Sequence, residues 1–165
     1  MQEVKREVLV SKASELLKNG TVDRVLGWKA GEFDYDITPA VFHTSEELEQ
    51  DFVWNDFCGA NFSKYLVSET GKSENKILVF LKPCDTYSFN QLIKEHRVDR
   101  EKAYIIGVGC KGKLDIEKIR KQGIKGIESI SGAEITDEAE TLTIQTIYGE
   151  KTCAYKDAML ERCHV

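Results

Sequence analysis

Two cysteines stand just past the ends of two apolar runs: Cys84 in ILVFLKPCD and Cys110 in YIIGVGCKG. Continuous runs of this kind are the pattern of strands buried on both faces of a parallel sheet, and chemistry in open α/β sheets collects at the carboxyl ends of the strands. If the strands are neighbours, two thiols sit on one edge about 5 Å apart in the pairing direction. Cys58 in WNDFCGANF and Cys163 in ERCHV also fall at loop or element ends, whereas Cys153 lies inside an expected strand. Deprotonated sulfur is a soft, strong ligand, so clustered thiolates suit an iron–sulfur centre or zinc. The chain has no CxxC pair, the local signature that would mark either one. Taken singly, each cysteine also reads as a small buried hydrophobe. A disulfide, or a nucleophilic thiol at Cys84 or Cys110, are further readings.

Charged residues surround the same two strand ends. Lys82, Asp85, Lys111 and Lys113 could hold a phosphate or a flavin, or simply solvate a loop. GVGCKG is too irregular for a dinucleotide-binding fingerprint, and no Walker A motif is present. His43, His96 and His164 form no triad. Trp54 and Phe57 read as packing residues that a site at Cys58 would place near a cofactor.

The elements that must position these residues follow from periodicity and turn signals. Between the two apolar runs, TYSFNQLIKEHRV places Phe89, Leu92, Ile93 and His96 near one helical face, which makes a βαβ unit. Residues 4–18 read as an amphipathic helix buried through Val4, Val8, Ala13, Leu16 and Leu17, stopped by Asn19-Gly20. Residues 21–29 and 33–43 read as extended segments forming a hairpin, with Pro39 marking an edge position. Thr44 followed by Glu47 is a capping box for a short helix. Helical spacing from Asn61 sets Cys58 just before or within the first turn of another helix. Helices near 114–121 and 156–161, a strand within 124–135, and a hairpin of 141–148 with 151–155 complete the reading. The expected fold class is α/β: one domain over residues 1–165, with a small mixed, partly parallel sheet and a central βαβ unit flanked by helices.

With 165 residues, 41% hydrophobic and 31% charged, the chain is long enough to bury a core without disulfides. A formal charge of −5 leaves no electrostatic footprint for nucleic acid. No signal peptide is visible, and no apolar run nears the roughly 20 residues of a membrane span, so a cytoplasmic location is expected. There, five cysteines weigh toward metal or redox roles rather than structural disulfides.

WNDFC, LKPCD and YIIGVGCKG, in that order and at these intervals, resemble the deazaflavin-coenzyme (F420) hydrogenase/dehydrogenase beta-subunit family. The nearest likeness is to its iron–sulfur branch, found beside heterodisulfide-reductase-like and methylenetetrahydrofolate-reductase-like systems. The similarity runs over residues 8–163. Members carry iron–sulfur clusters, several bind FAD, and they pass electrons between a reduced carrier and a partner oxidoreductase. The resemblance implies that Cys58, Cys84 and Cys110 match positions associated with a [4Fe–4S] cluster, for which Cys163 is the fourth candidate, and that FAD is a second cofactor, for which the strand-end residues Lys82, Asp85 and Lys111 are the candidates. It implies other subunits of a redox complex, or ferredoxin, as partners. Cys163 resembles the first cysteine of a CxxC that opens a ferredoxin-like module in many relatives, so residues 156–165 read as the start of such a module. The non-catalytic alternative is an assembly or regulatory domain whose cysteines are buried or hold zinc.

Overall fold

The computed structural model describes residues 4–136 and 139–164, with backbone alone for 131–136 and 139. Its contacts divide the chain into two compact units. The first comprises Met1–Lys29, Thr38–Trp54 and Ala60–Cys110; the second comprises Ala30–Ile37, Asn55–Gly59 and Lys111–Val165.

The first unit carries the parallel sheet. Its elements in chain order are α1 (Arg6–Lys18), β1 (Arg24–Ala30), β2 (Ile37–Phe42), α2 (Ser45–Asp51), α3 (Ser63–Lys72), β3 (Ile77–Leu81), α4 (Asp85–Lys94) and β4 (Ala103–Gly107). The strand order is β2-β1-β3-β4, with β3 parallel to both β1 and β4. The expected fold class therefore holds: mixed α/β, with a partly parallel four-stranded sheet, a central β3–α4–β4 unit and flanking helices. β3 is buried along its whole length, as its apolar run requires. β4 is only half-buried, contrary to the expectation of two covered faces, because it closes the sheet as an edge strand. Pro39 lies on the other edge strand, β2, the edge position expected from its missing N–H.

Local signals explain the element ends. Thr44 Oγ1 accepts from the Glu47 N–H at 3.2 Å, the cap expected, while the Glu47 carboxylate reaches back one residue further than a capping box requires and accepts from the His43 N–H at 2.7 Å. At the far end of α2, the Arg6 guanidinium donates to the carbonyls of Phe52, Leu48 and Glu49. Glu49 and Phe52 offer carbonyls of the kind that a helix terminus leaves unsatisfied, and the Leu48 carbonyl also accepts the Phe52 N–H. With α1 anchored in this way, Ala13 and Leu16 of the expected stripe are buried and Val4 and Leu17 half-buried, but Val8 is exposed and Leu9, Val10 and Ser14 are buried beside them. α4 buries Phe89 but leaves Leu92 and Ile93 only partly covered, and His96 lies beyond its end with a positive φ.

The second unit is built on the antiparallel sheet β5 (Ile127–Thr136), β6 (Ala139–Thr146) and β7 (Gly149–Ala154), with α5 (Ile116–Lys121) and α6 (Tyr155–Ala158). The β6–β7 hairpin expected from alternation is present, turned by Ile147 and Tyr148, with Gly149 at φ +108°. Its core includes Phe57, Leu114, Ile119, Leu142, Ile144, Cys153 and Tyr155. Among the described residues, no helix is long and apolar enough to cross a membrane.

Candidate functional site

In the first unit, chemistry-bearing side chains collect at the carboxyl edge of the parallel sheet. The β3–β4 register runs to Leu81↔Gly107, and the Val108 N–H donates to the Leu81 carbonyl at 2.9 Å. Cys84 and Cys110 each follow that last pair by three positions, so both belong to this edge. Cys84 is exposed in the turn that opens α4, and Cys110 is half-buried.

Beside Cys84 lies a buried ion pair. The side chains of Lys82 and Asp85 are each only 4% exposed, with Nζ and Oδ2 3.4 Å apart. Asp85 Oδ2 also accepts from the Lys82 backbone N–H at 3.3 Å, and its Oδ1 lies 3.8 Å from the Cys84 sulfur, which donates to it. Lys82 Nζ donates to the Ala60 carbonyl at 3.1 Å and sits 5.4 Å from the centre of the Trp28 ring. Buried charges persist only when paired and hydrogen-bonded, and this ammonium has a carboxylate, a carbonyl and an aromatic face. The pair thus ties the end of β3 to the start of α4 and to the segment entering α3. A polar bridge reinforces that tie: Asn61 Nδ2 donates to Ser88 Oγ at 2.7 Å, and the Ser63 and Ser88 hydroxyls meet at 2.7 Å.

In the second unit, Cys58 and Cys163 flank one stretch of backbone, residues 111–114. Cys58 closes a tight turn: its N–H donates to the Asn55 carbonyl at 3.1 Å, and its sulfur accepts from the Asn55 N–H at 3.3 Å. The turn is held on the stretch because the Leu114 N–H donates to the Asp56 carbonyl at 2.9 Å. The Lys113 side chain packs over Gly59, where any Cβ would collide with it. On the other side, the Leu160 N–H donates to the Lys113 carbonyl at 2.8 Å, and Gly112 lies against Met159 and Cys163. Gly112 has φ +131° and no room for a Cβ beside the Met159 sulfur; the Cys163 Cβ is 3.5 Å from where one would stand. Lys111 is engaged by Glu140 at 2.7 Å, Asp56 at 3.8 Å and the Tyr155 ring at 4.6 Å.

The structure therefore places Lys82, Cys84, Asp85 and Cys110 together in one unit and Cys58, Lys111 and Cys163 together in the other. Cys58 lies in a turn ahead of α3 rather than in its first turn. Cys153 is buried in β7, and burial, helped by Asp157, pushes its thiol above the ordinary range. Among the described residues, no group of three or more His, Cys, Asp or Glu side chains is close enough to hold a metal ion. The thiols have the right chemistry for an iron–sulfur centre, but neither unit alone offers more than two of the four proposed ligands. Sequence reasoning missed Asp56, Ala60, Glu140, Tyr155 and the Gly112–Met159 contact, none of which lies in a recognisable motif.

No protein-family model matches the chain. It is 32% identical over 99 residues to the F420-dependent formate dehydrogenase subunit beta of Methanocaldococcus jannaschii, a match covering 60% of this chain and 26% of that protein. It is 32% identical over 97 residues to the F420-dependent formate dehydrogenase 1 subunit beta of Methanococcus maripaludis, covering 59% and 24%. The chain thus spans about a quarter of the length of these curated relatives. In fold it matches a chain of the F420-reducing [NiFe] hydrogenase complex from Methanosarcina barkeri, with a TM-score of 0.65 and 16% identity, over 96% of this chain and 58% of that one.

Proposed function

We propose, from its likeness to the beta subunits of F420-dependent formate dehydrogenases, that the chain is an electron-transfer subunit of an F420-linked oxidoreductase complex. The observation that carries the proposal is the 32% identity over 99 residues to a formate dehydrogenase beta subunit. The finer form of the reading assigns it to the iron–sulfur branch, with one [4Fe–4S] cluster on Cys58, Cys84, Cys110 and Cys163 and FAD as a second cofactor. Its partners are the remaining subunits of the complex or a ferredoxin, in the cytoplasm. A bound cluster would supply one-electron storage. The chain's own contribution is to hold thiols at fixed element ends and to direct an N–H at one of them. The Asn55 N–H on the Cys58 sulfur is of the type that tunes cluster potentials.

Lys82 and Asp85 support this reading by fixing the Cys84 turn, whether or not a flavin lies against it. The experiment is iron and acid-labile sulfide per chain on anaerobically purified protein, read beside the visible spectrum before and after addition of reduced F420. About four of each, with a spectrum bleached by the carrier, is the expected result. A flavin band in the same spectrum reports FAD.

The second reading is an assembly or regulatory domain with structural or zinc-bound cysteines. One observation favours its metal-free form, with structural cysteines: no three metal-donor side chains come together among the described residues. Zinc alone, or no metal and a spectrum indifferent to reduced F420, would replace the first reading by the second.

A further inference from the structure

From the sequence, Lys111 is a cation that could hold a phosphate or a flavin or simply solvate a loop, and inside the second unit its ammonium meets two carboxylates and a ring. It reaches Glu140 of β6 at 2.7 Å and Asp56, two residues before Cys58, at 3.8 Å, and it lies over the ring of Tyr155. Tyr155 in turn donates to the Gly112 carbonyl at 3.3 Å, so the lysine's aromatic platform is fastened to the same backbone stretch. Two carboxylates from distant parts of the chain are thus held to one cation.

We propose that Lys111 is a positioning residue: it fastens the Cys58 turn to β6 by neutralising Asp56 and Glu140 together, and so keeps the Cys58 thiol in its buried place. Without the ammonium, two carboxylates face each other across the join between the turn and the sheet, and the turn is repelled from β6. The chemistry that Lys111 serves is that of Cys58, and its importance to electron transfer rests on the reading of Cys58 as a redox-centre thiol. The clamp itself is independent of any metal. All three charged side chains are about a third exposed, so the effect is moderated by solvent.

The test is the rate of Cys58 alkylation by iodoacetamide in metal-free folded protein, followed by mass spectrometry. Exposed Cys84 serves as internal standard and buried Cys153 as a check on folding. A buried thiol reacts through local opening, so its rate follows the population of the open turn. Lys111→Met is expected to speed Cys58 by about five-fold with Cys153 still protected, the size of a partly exposed ion pair. Lys111→Arg stays near the parent rate. Adding Glu140→Gln to Lys111→Met removes the repulsion and restores most of the protection, which a purely packing role would not do. An unchanged Cys58 rate in Lys111→Met, or no rescue by Glu140→Gln, overturns the proposal. If Lys111→Met fails to fold, Lys111→Gln decides the matter: it too leaves Asp56 and Glu140 facing each other and is expected to speed Cys58 several-fold, and an unchanged rate overturns the clamp. Iron content plays no part in these readouts, so the failure of the redox reading and the failure of the clamp are separate results.

Discussion

At the scale of single residues, the most consequential feature is the Lys82–Asp85 pair. Removing one member of a buried ion pair strands the other charge, a loss of about 3–5 kcal/mol, whereas replacing both by apolar groups is often close to neutral. Lys82→Met is therefore expected to lower the urea midpoint strongly, and Lys82→Met with Asp85→Leu to recover most of it. A double variant as unstable as the single one would show that the pair stabilises more than it costs. Cys153 gives a prediction of opposite character. Its folded thiol is shifted upward by burial first and by Asp157 second. The unfolded chain then loses that proton at lower pH than the folded chain. The stability this thiol contributes is complete below the ordinary thiol value of 9.0 and is lost as pH rises through the folded value. Cys153→Ala should flatten the alkaline fall in stability, as measured by denaturant midpoints from neutral pH to above 9.

At the scale of elements, the stretch 111–114 has the least freedom to vary. Gly112 combines a left-handed backbone with a neighbour that leaves no space for a Cβ. Gly112→Ala is expected to lose about 1–3 kcal/mol through strain and overpacking. The loss should appear in thermal unfolding, with Gly149→Ala milder because nothing stands near that glycine. The elements most legible from sequence were those with local causes: the Thr44–Glu47 box, the β6–β7 hairpin and the β3–α4–β4 unit. In α1 the burial of Ala13 and Leu16 was legible, but not the exposure of Val8 or the burial of Leu9 and Val10, because the helix is held by Arg6 reaching the carbonyls of Leu48, Glu49 and Phe52, some 42 to 46 positions away. The half-exposure of β4 escaped for a similar reason: an apolar run does not announce whether another strand will cover its far side.

At the scale of the whole chain, the residues singled out for chemistry sort into two sets, one in each unit. Strand-end logic found Cys84 and Cys110 and the lysine and aspartate beside them. It could not show that Lys82 and Asp85 would be buried against each other, or that Lys111 would be claimed by Asp56 and Glu140. The burial of the first pair depends on Ala60 and Trp28, and the second pairing on Asp56 and Glu140, segments that are distant in sequence and carry no motif. The likeness to the formate dehydrogenase beta subunits covers about a quarter of those relatives' length.

The packing around Trp28 has an optical consequence. The chain has two tryptophans, Trp28 and Trp54, and both belong to the first unit, their rings 5.0 Å apart. Red-edge excitation, which leaves tyrosine dark, therefore reads the fluorescence of that unit alone. The Lys82 ammonium above Trp28 makes the emission a built-in gauge of the charge at the sheet's carboxyl edge.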